Sequence, residues 1–262
     1  MLSDQARARA GYGRARCLKG TDMQKGKAFA AIERLSPALA NRTVILTGHF
    51  GSGKTEIAVN LAFMRRTTAR RSVILDLDIA NPYFRSRELA KTLSGLGIDV
   101  VSNAYGCDIT ADLPALSPAI SRRMDDPHCD CVVDVGGNDS GARVLNQFRP
   151  QLNRHDAAVF LVINVFRPET GTADRIVEMM RSIEKEIGAP IDGFINNSNL
   201  LKATRPAHVE EGIETARAAS RSTGVPVVAT CCERTLAAEM NRRHDRVLPI
   251  HLYMRPSWLD RM

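Results

Sequence analysis

The sequence predicts an α/β fold, a mostly parallel central sheet with helices on both faces. Three observations predict it. Short β-branched runs alternate with helix-length segments from about residue 43 to residue 251, the pattern of strands joined by helical crossovers. The first run ends in a glycine-rich loop, Gly48-His49-Phe50-Gly51-Ser52-Gly53-Lys54-Thr55, that leads directly into a helical segment. Two later runs end in acids, at Asp76–Asp78 and at Asp134, and ligands of open parallel sheets gather beyond the carboxyl ends of strands.

The elements follow in order. Thr43–Thr47 reads as a strand, and Thr55–Arg66 as a helix with Ile57, Ala58, Leu61 and Ala62 on one face. Ser72–Leu77 is a second strand, Arg85–Leu96 a helix and Ile98–Val101 a strand. Leu113–Met124 reads as a helix, Cys129–Val135 as a strand, Gly141–Leu152 as a helix and Ala157–Val165 as a strand. Ala173–Ile187 is amphipathic, with Ile176, Met179, Met180 and Ile183 recurring at helical spacing. Ile191–Asn196 and Pro226–Thr230 read as strands around a helix at Pro206–Thr223. Thr235–Arg243 is a short helix before a last strand, Val247–Leu252.

Two regions are expected: a basic tail over residues 1–27, disordered or a spurious extension, and one nucleotide-binding-sized domain over 28–262. The tail carries five of the seven net positive charges, so the basic pI says little about the domain. Its composition, rich in Ala, Gly and Arg, lacks the apolar pattern a core requires. No apolar stretch is long enough to span a bilayer and no signal-peptide segment follows the first residue, which leads to the expectation of a cytoplasmic protein. The six cysteines form no C-x-x-C pair, and reduced, structural thiols account for them.

Three motifs carry chemistry. The loop Gly48–Thr55 fits G-x-x-x-x-G-K-[ST], with a strand before it and a helix after it. Glycines let the chain curl until successive N–H groups point inward at phosphate, and the helix adds its positive end. Gly48, Gly51, Ser52, Gly53, Lys54, Thr55 and Glu56 are the expected phosphate-binding residues, with Lys54 reaching the terminal phosphates and the Thr55 hydroxyl ligating Mg²⁺. Asp134 ends an apolar strand and is followed by Gly136-Gly137; its carboxylate suits a Mg²⁺ shell, and Gly137 suits contact with a γ-phosphate. Asp76 and Asp78 end the second strand on one side. Asp78 is the candidate that orients the attacking water, and Asp76 supports the metal shell.

In this order the three motifs resemble the SIMIBI class of P-loop NTPases, and more narrowly the MinD/ParA/CobQ type. The resemblance covers about residues 42 to 250. It implies ATP and Mg²⁺ as cofactors, catalytic roles for Lys54 and Asp78, metal ligation by Thr55, Asp76 and Asp134, and mobile segments at Asp78–Arg87 and Gly136–Ser140. It places a purine-contacting Asn at Asn197 or Asn196, bordered by residues 230–234. The guanine signature N-K-x-D is missing there, which favours ATP over GTP. His49 stands where MinD- and ParA-like proteins carry a signature lysine that crosses a dimer interface, which puts nucleotide-driven homodimerisation in doubt. The carboxyl end does not read as a membrane helix, and the expected partner is a protein, with no membrane and nucleic acid unlikely. The alternatives are an ATP-dependent transferase or ligase binding a small acidic metabolite through Arg85, Arg87 and Arg167, and a positioning ATPase.

Overall fold

The computed structural model describes residues 22–66, 70–78, 90–102, 118–137 and 139–253. Eight strands form one sheet: β1 (Thr43–Thr47), β2 (Arg71–Leu77), β3 (Ile98–Ser102), β4 (Cys129–Val135), β5 (Ala157–Ile163), β6 (Gly193–Asn196), β7 (Val227–Glu233) and β8 (Val247–Ile250). Their order is β3-β2-β4-β1-β5-β6-β7-β8, and every pairing is parallel. The helices are α1 (Asp22–Leu35), α2 (Lys54–Met64), α3 (Ala90–Ser94), α4 (Pro118–Asp125), α5 (Asp139–Asn146), α6 (Arg149–Leu152), α7 (Ala173–Ile187), α8 (Pro206–Thr223) and α9 (Arg234–Arg243). The expected fold class is present, and the sheet is parallel throughout.

Side chains alternate across each strand, so β1 feeds two cores. Ile45 packs with Val133, Leu161, Ile176 and Phe148 on one face. Val44 and Leu46 pack with Ile57, Leu61 and Phe160 on the other. Burial on both faces explains the continuous apolar runs. Each such side chain removed from water contributes about 1.5–3 kcal/mol before entropic costs.

β1 is central, between β4 and β5. The chain runs from β1 toward one edge through β2 and β3, and from β5 toward the other through β6, β7 and β8. The carboxyl end of β1 is therefore the place where the connections diverge, and a crevice opens there.

Several boundaries differ from expectation. Residues 22–27, assigned to the tail, lie within α1, whose Ile32 is fully buried against α2-side residues. The helix expected over Gly141–Leu152 is two helices, because Pro150 sits at the start of α6 and a proline cannot continue a preceding helix. β5 stops at Ile163, not Val165, and β8 at Ile250. The first five residues of each helix expected over Arg85–Leu96 and Leu113–Met124 fall outside the described residues, and the described parts hold α3 and α4.

The helix that carries the phosphate loop is fixed at both ends. Arg65, fully buried, donates to the carbonyls of Leu39, Asn41 and Arg42, tying the end of α2 to the entrance of β1. Burial pulls its pKa down to about 10 against the pull of nearby Asp130. On the outer side of α2, Asn60 donates to His251 O at 2.8 Å and accepts from His251 N at 2.8 Å.

Candidate functional site

The loop between β1 and α2 passes through left-handed backbone at Gly51 and Gly53, with φ of 75° and 87°. Gly53 is the N-cap of α2, and its conformation is one that only glycine adopts freely. It also has no room for a side chain: a Cβ there would lie 2.3 Å from Asn197 Nδ2.

The carbonyl oxygens of the loop are held by hydrogen bonds. Gly48 O and His49 O accept from Lys54 Nζ at 2.9 and 3.0 Å. Gly51 O accepts from Arg167 Nε at 3.2 Å, Ser52 O from Asn197 Nδ2 at 2.8 Å, and Gly53 O from Ile57 N at 3.1 Å. The N–H groups of Gly51, Gly53, Lys54 and Thr55 find no acceptor among the described residues. Acceptors occupied and donors uncommitted, at the positive end of a helix, make an anion cradle.

The acids gather opposite. Asp134 is buried at the end of β4, and neither of its carboxylate oxygens has a well-formed hydrogen bond. Desolvation, then the negative charges of Asp76 and Asp78, push its pKa up to about 7, while the Thr55 hydroxyl and Lys54 pull it down. β2 and β4 are in register at Asp76 and Asp134, and Asp78 N donates to Asp76 Oδ1 at 3.1 Å. Lys54 is buried too. Desolvation lowers its pKa, and Asp134 and Asp78 raise it.

Buried carboxylate oxygens without hydrogen bonds are costly unless something binds them. A divalent cation beside Asp134 and Thr55 would supply that partner. Among the described residues no group of three His, Cys, Asp or Glu side chains converges as a cage. That donor set fits Mg²⁺, which takes one or two protein ligands and fills its shell with water and phosphate oxygens.

Gly137 lies directly on the phosphate loop. A Cβ there would come within 2.4 Å of Phe50 N and 2.8 Å of His49 C. The segment that follows Asp134 is therefore in backbone contact with the loop.

Other expected residues sit differently. The Glu56 carboxylate, grouped with the phosphate binders, accepts from the Tyr253 backbone N–H, so this contact faces the outer side of α2. Asn197 braces Ser52 O, a task the sequence did not suggest. Asn196 is fully buried and its Oδ1 accepts from Ser198 N and Ser198 Oγ at 3.1 and 2.7 Å. His49 Nδ1 lies 3.1 Å from Phe50 O and 3.3 Å from Glu169 Oε2 of the same chain. Arg85, Arg87 and most of Asp78–Arg87 lie outside the described residues. So does residue 138 in the segment Gly136–Ser140.

Sequence reading missed two participants. Glu169 reaches His49 from the loop after β5. Asn164, at the end of β5, accepts from Phe166 N at 3.1 Å and Asn199 N at 3.3 Å, linking the β5 and β6 loops. Polar residues at the carboxyl ends of adjacent strands were the available signal.

Fold and site together define a P-loop nucleotide-binding fold: strand, glycine-rich cradle, helix, and a buried acid on the adjacent strand. No family model matches the chain, and no curated protein matches it. Among solved structures it is similar to FlhF complexed with GTP/Mg²⁺, at 15% identity over 78% of this chain and 71% of that one, with a TM-score of 0.45. It is also similar to the signal recognition particle 54 kDa protein from Aeropyrum pernix K1 in complex with GDP, at 25% identity over 72% of this chain and 40% of that one, TM-score 0.44. A third is hydrogenase maturation factor HypB from Archaeoglobus fulgidus, at 16% identity over 80% and 90% of the chains, TM-score 0.44. These likenesses concern the fold alone. No helix among the described residues is long and apolar enough to cross a membrane.

Proposed function

We propose that the protein is a Mg²⁺-dependent ATP-binding and ATP-hydrolysing switch of the MinD/ParA/CobQ type that acts on a partner protein. The observation that carries this reading is the polarity of the Gly48–Thr55 loop, with its carbonyls occupied and its N–H groups uncommitted, together with a buried Asp134 whose oxygens have no well-formed hydrogen bond. Backbone N–H groups and Lys54 take the phosphates. Thr55 and Asp134 hold Mg²⁺, with Asp76 behind them, and the ion would screen charge on the phosphates. Asp78 orients water.

One feature supports adenine. Guanine presents adjacent N–H donors that a carboxylate accepts well, and the segment Asn196–Ala203 contains no acid. The switch reading is supported by the backbone contact of Gly137 with the phosphate loop, which gives a route from phosphate to the segment after β4. His49 is engaged by Glu169 in its own chain, so dimerisation through residue 49 is left out of the proposal. An acidic metabolite is disfavoured, because the cavity beside Gly48, Gly136 and Gly137 is lined by Glu169, Glu178 and Glu186 against Arg175.

The test is turnover and binding of ATP and GTP with Mg²⁺ by the wild type, Lys54→Ala and Asp78→Ala. ATP hydrolysis by the wild type is expected. Lys54→Ala should weaken ATP at least about a hundredfold, since charge-assisted bonds to phosphate are lost. Asp78→Ala should bind ATP and turn over roughly 10²–10⁴-fold more slowly. Preference for GTP, or full turnover by Asp78→Ala, would reject the corresponding assignment.

A further inference from the structure

The loop between β5 and α7 holds one arginine in an unusual posture. Its backbone is clamped: Arg167 N donates to Asn164 O at 3.0 Å, and Arg167 O accepts from Thr170 N at 3.0 Å. Asn164 and Thr170 are both buried. Thr170 Oγ1 donates to Asn164 O at 2.6 Å, and Val165 N donates to Ser198 Oγ at 3.1 Å. Arg167 thus projects from a turn that its neighbours hold rigid.

Its guanidinium lies against Gly51 of the phosphate loop. Nε donates to Gly51 O at 3.2 Å. A Cβ at Gly51 would sit 3.0 Å from Nε, 3.1 Å from Cζ and 3.2 Å from Nη2. The two terminal amino groups make no hydrogen bond or ion pair among the described residues. Arginines that serve as braces here spend those groups: Arg65 donates from both to backbone carbonyls, and Arg154 gives both to the α4 end. Arg167 is anchored by Nε alone, and its exposed planar fork stands beside Gly51 of the phosphate loop. A fork of that geometry pairs with phosphate oxygens.

We propose that Arg167 is a catalytic arginine supplied by the chain itself, contacting the terminal phosphates of the bound triphosphate and neutralising the charge that develops as the bond breaks. The proposal rests on the nucleotide-hydrolysis reading above. In that reaction the water oxygen bonds to the γ-phosphorus. The bond from that phosphorus to the β–γ bridging oxygen breaks, and its electron pair leaves on the nucleoside diphosphate. One proton of the water stays on the released phosphate and the other passes to solvent. Arg167 gives up no proton. Its terminal amino groups gain strength as charge moves onto the bridging oxygen, which is how an arginine accelerates phosphoryl transfer. Gly51 O fixes where the group waits, so little reorganisation is needed.

The experiment compares the full chain with Arg167→Ala and Arg167→Lys. It measures single-turnover hydrolysis at saturating Mg²⁺-ATP, the affinity for ADP, the affinity for ADP plus aluminium fluoride as a transition-state mimic, and the melting temperature. The expected result for Arg167→Ala is a rate lower by roughly 10²–10⁴-fold, ADP affinity within about threefold, and loss of the aluminium fluoride complex. Arg167→Lys should recover little, and added guanidinium should partly restore Arg167→Ala. A rate within fivefold of wild type would overturn the proposal. So would ADP affinity, melting temperature and rate falling together, the signature of a brace on Gly51 and nothing more. A wild type that neither hydrolyses ATP or GTP nor forms the aluminium fluoride complex would reject the underlying nucleotide reading and this proposal with it. A wild type that turns over beside an unaffected Arg167→Ala rejects only the role of Arg167.

Discussion

Asn197 separates two accounts of one residue. Its position at the end of β6 implies a contact with the purine. The structure instead aims its amide at the phosphate loop, where Nδ2 donates to Ser52 O at 2.8 Å in a buried bond. Asn197→Ala removes the donor and leaves a buried carbonyl without a partner, which costs about 1–3 kcal/mol. If that cost falls on the conformation that receives nucleotide, affinity drops about 5- to 150-fold, and the melting temperature drops by about 2–12 °C for a chain of this size. Calorimetric titration with ATP and with inorganic tripolyphosphate decides between the accounts. A brace on the loop acts through phosphate, so both ligands should weaken by the same factor. Weaker ATP with unchanged tripolyphosphate would refute the brace and return Asn197 to the base. A cycle with Gly53→Ala adds an internal check. The new Cβ would lie 2.3 Å from Asn197 Nδ2, so the double variant should lose less than the two single losses combined.

Gly137→Ala places a methyl group 2.4 Å from Phe50 N. Backbone cannot yield as a side chain would, so a loss of about 1–3 kcal/mol is expected, read as a lower melting temperature together with weaker ATP binding; wild-type values for both would mean the two segments are not in contact. Asp134→Asn removes a buried negative charge that faces two others. The nucleotide-free protein should then melt a few degrees higher, by about 1–2 kcal/mol, while Mg²⁺-dependent ATP binding is lost, and a lower melting point would show that Asp134 is satisfied before metal arrives.

The parts of the site that lie close in sequence were legible. Gly48 to Thr55 is a continuous motif whose neighbours, β1 and α2, are themselves periodic. Asp134 and Asp76 each follow an apolar run, and parallel pairing of β2 with β4 brings them level. What the sequence hid lies in contacts between distant loops. Asn197 and Ser52 are 145 residues apart, and Arg167 and Gly51 are 116 apart. No periodicity reports such a pair. It follows from the strand order, because β5 and β6 lie next to β1 in sequence order on one side and bring their carboxyl-end loops to the same rim. Glu56 illustrates the converse. It adjoins Thr55, yet one residue along a helix turns a side chain by about 100°, and its carboxylate accepts from the Tyr253 backbone N–H. The division between α5 and α6 was readable, since Pro150 stood inside the expected helix.

The hydrogen bonds of the phosphate loop also set what binding must change. Arg167 Nε and Asn197 Nδ2 hold Gly51 O and Ser52 O, and on the proposed function a triphosphate engages the loop's N–H groups without displacing either bond. Lys54 differs. Its ammonium closes the loop on itself, with two bonds to Gly48 O and His49 O, and it must leave both to reach a phosphate. The exchange is favourable because neutral acceptors are replaced by charged ones, which make roughly twice as strong a bond. Burial reinforces it, since the same desolvation that lowers the pKa of Lys54 strengthens its attraction to an arriving anion. On the proposed function the bonds to Gly51 O and Ser52 O persist, and Lys54 is the residue that must move.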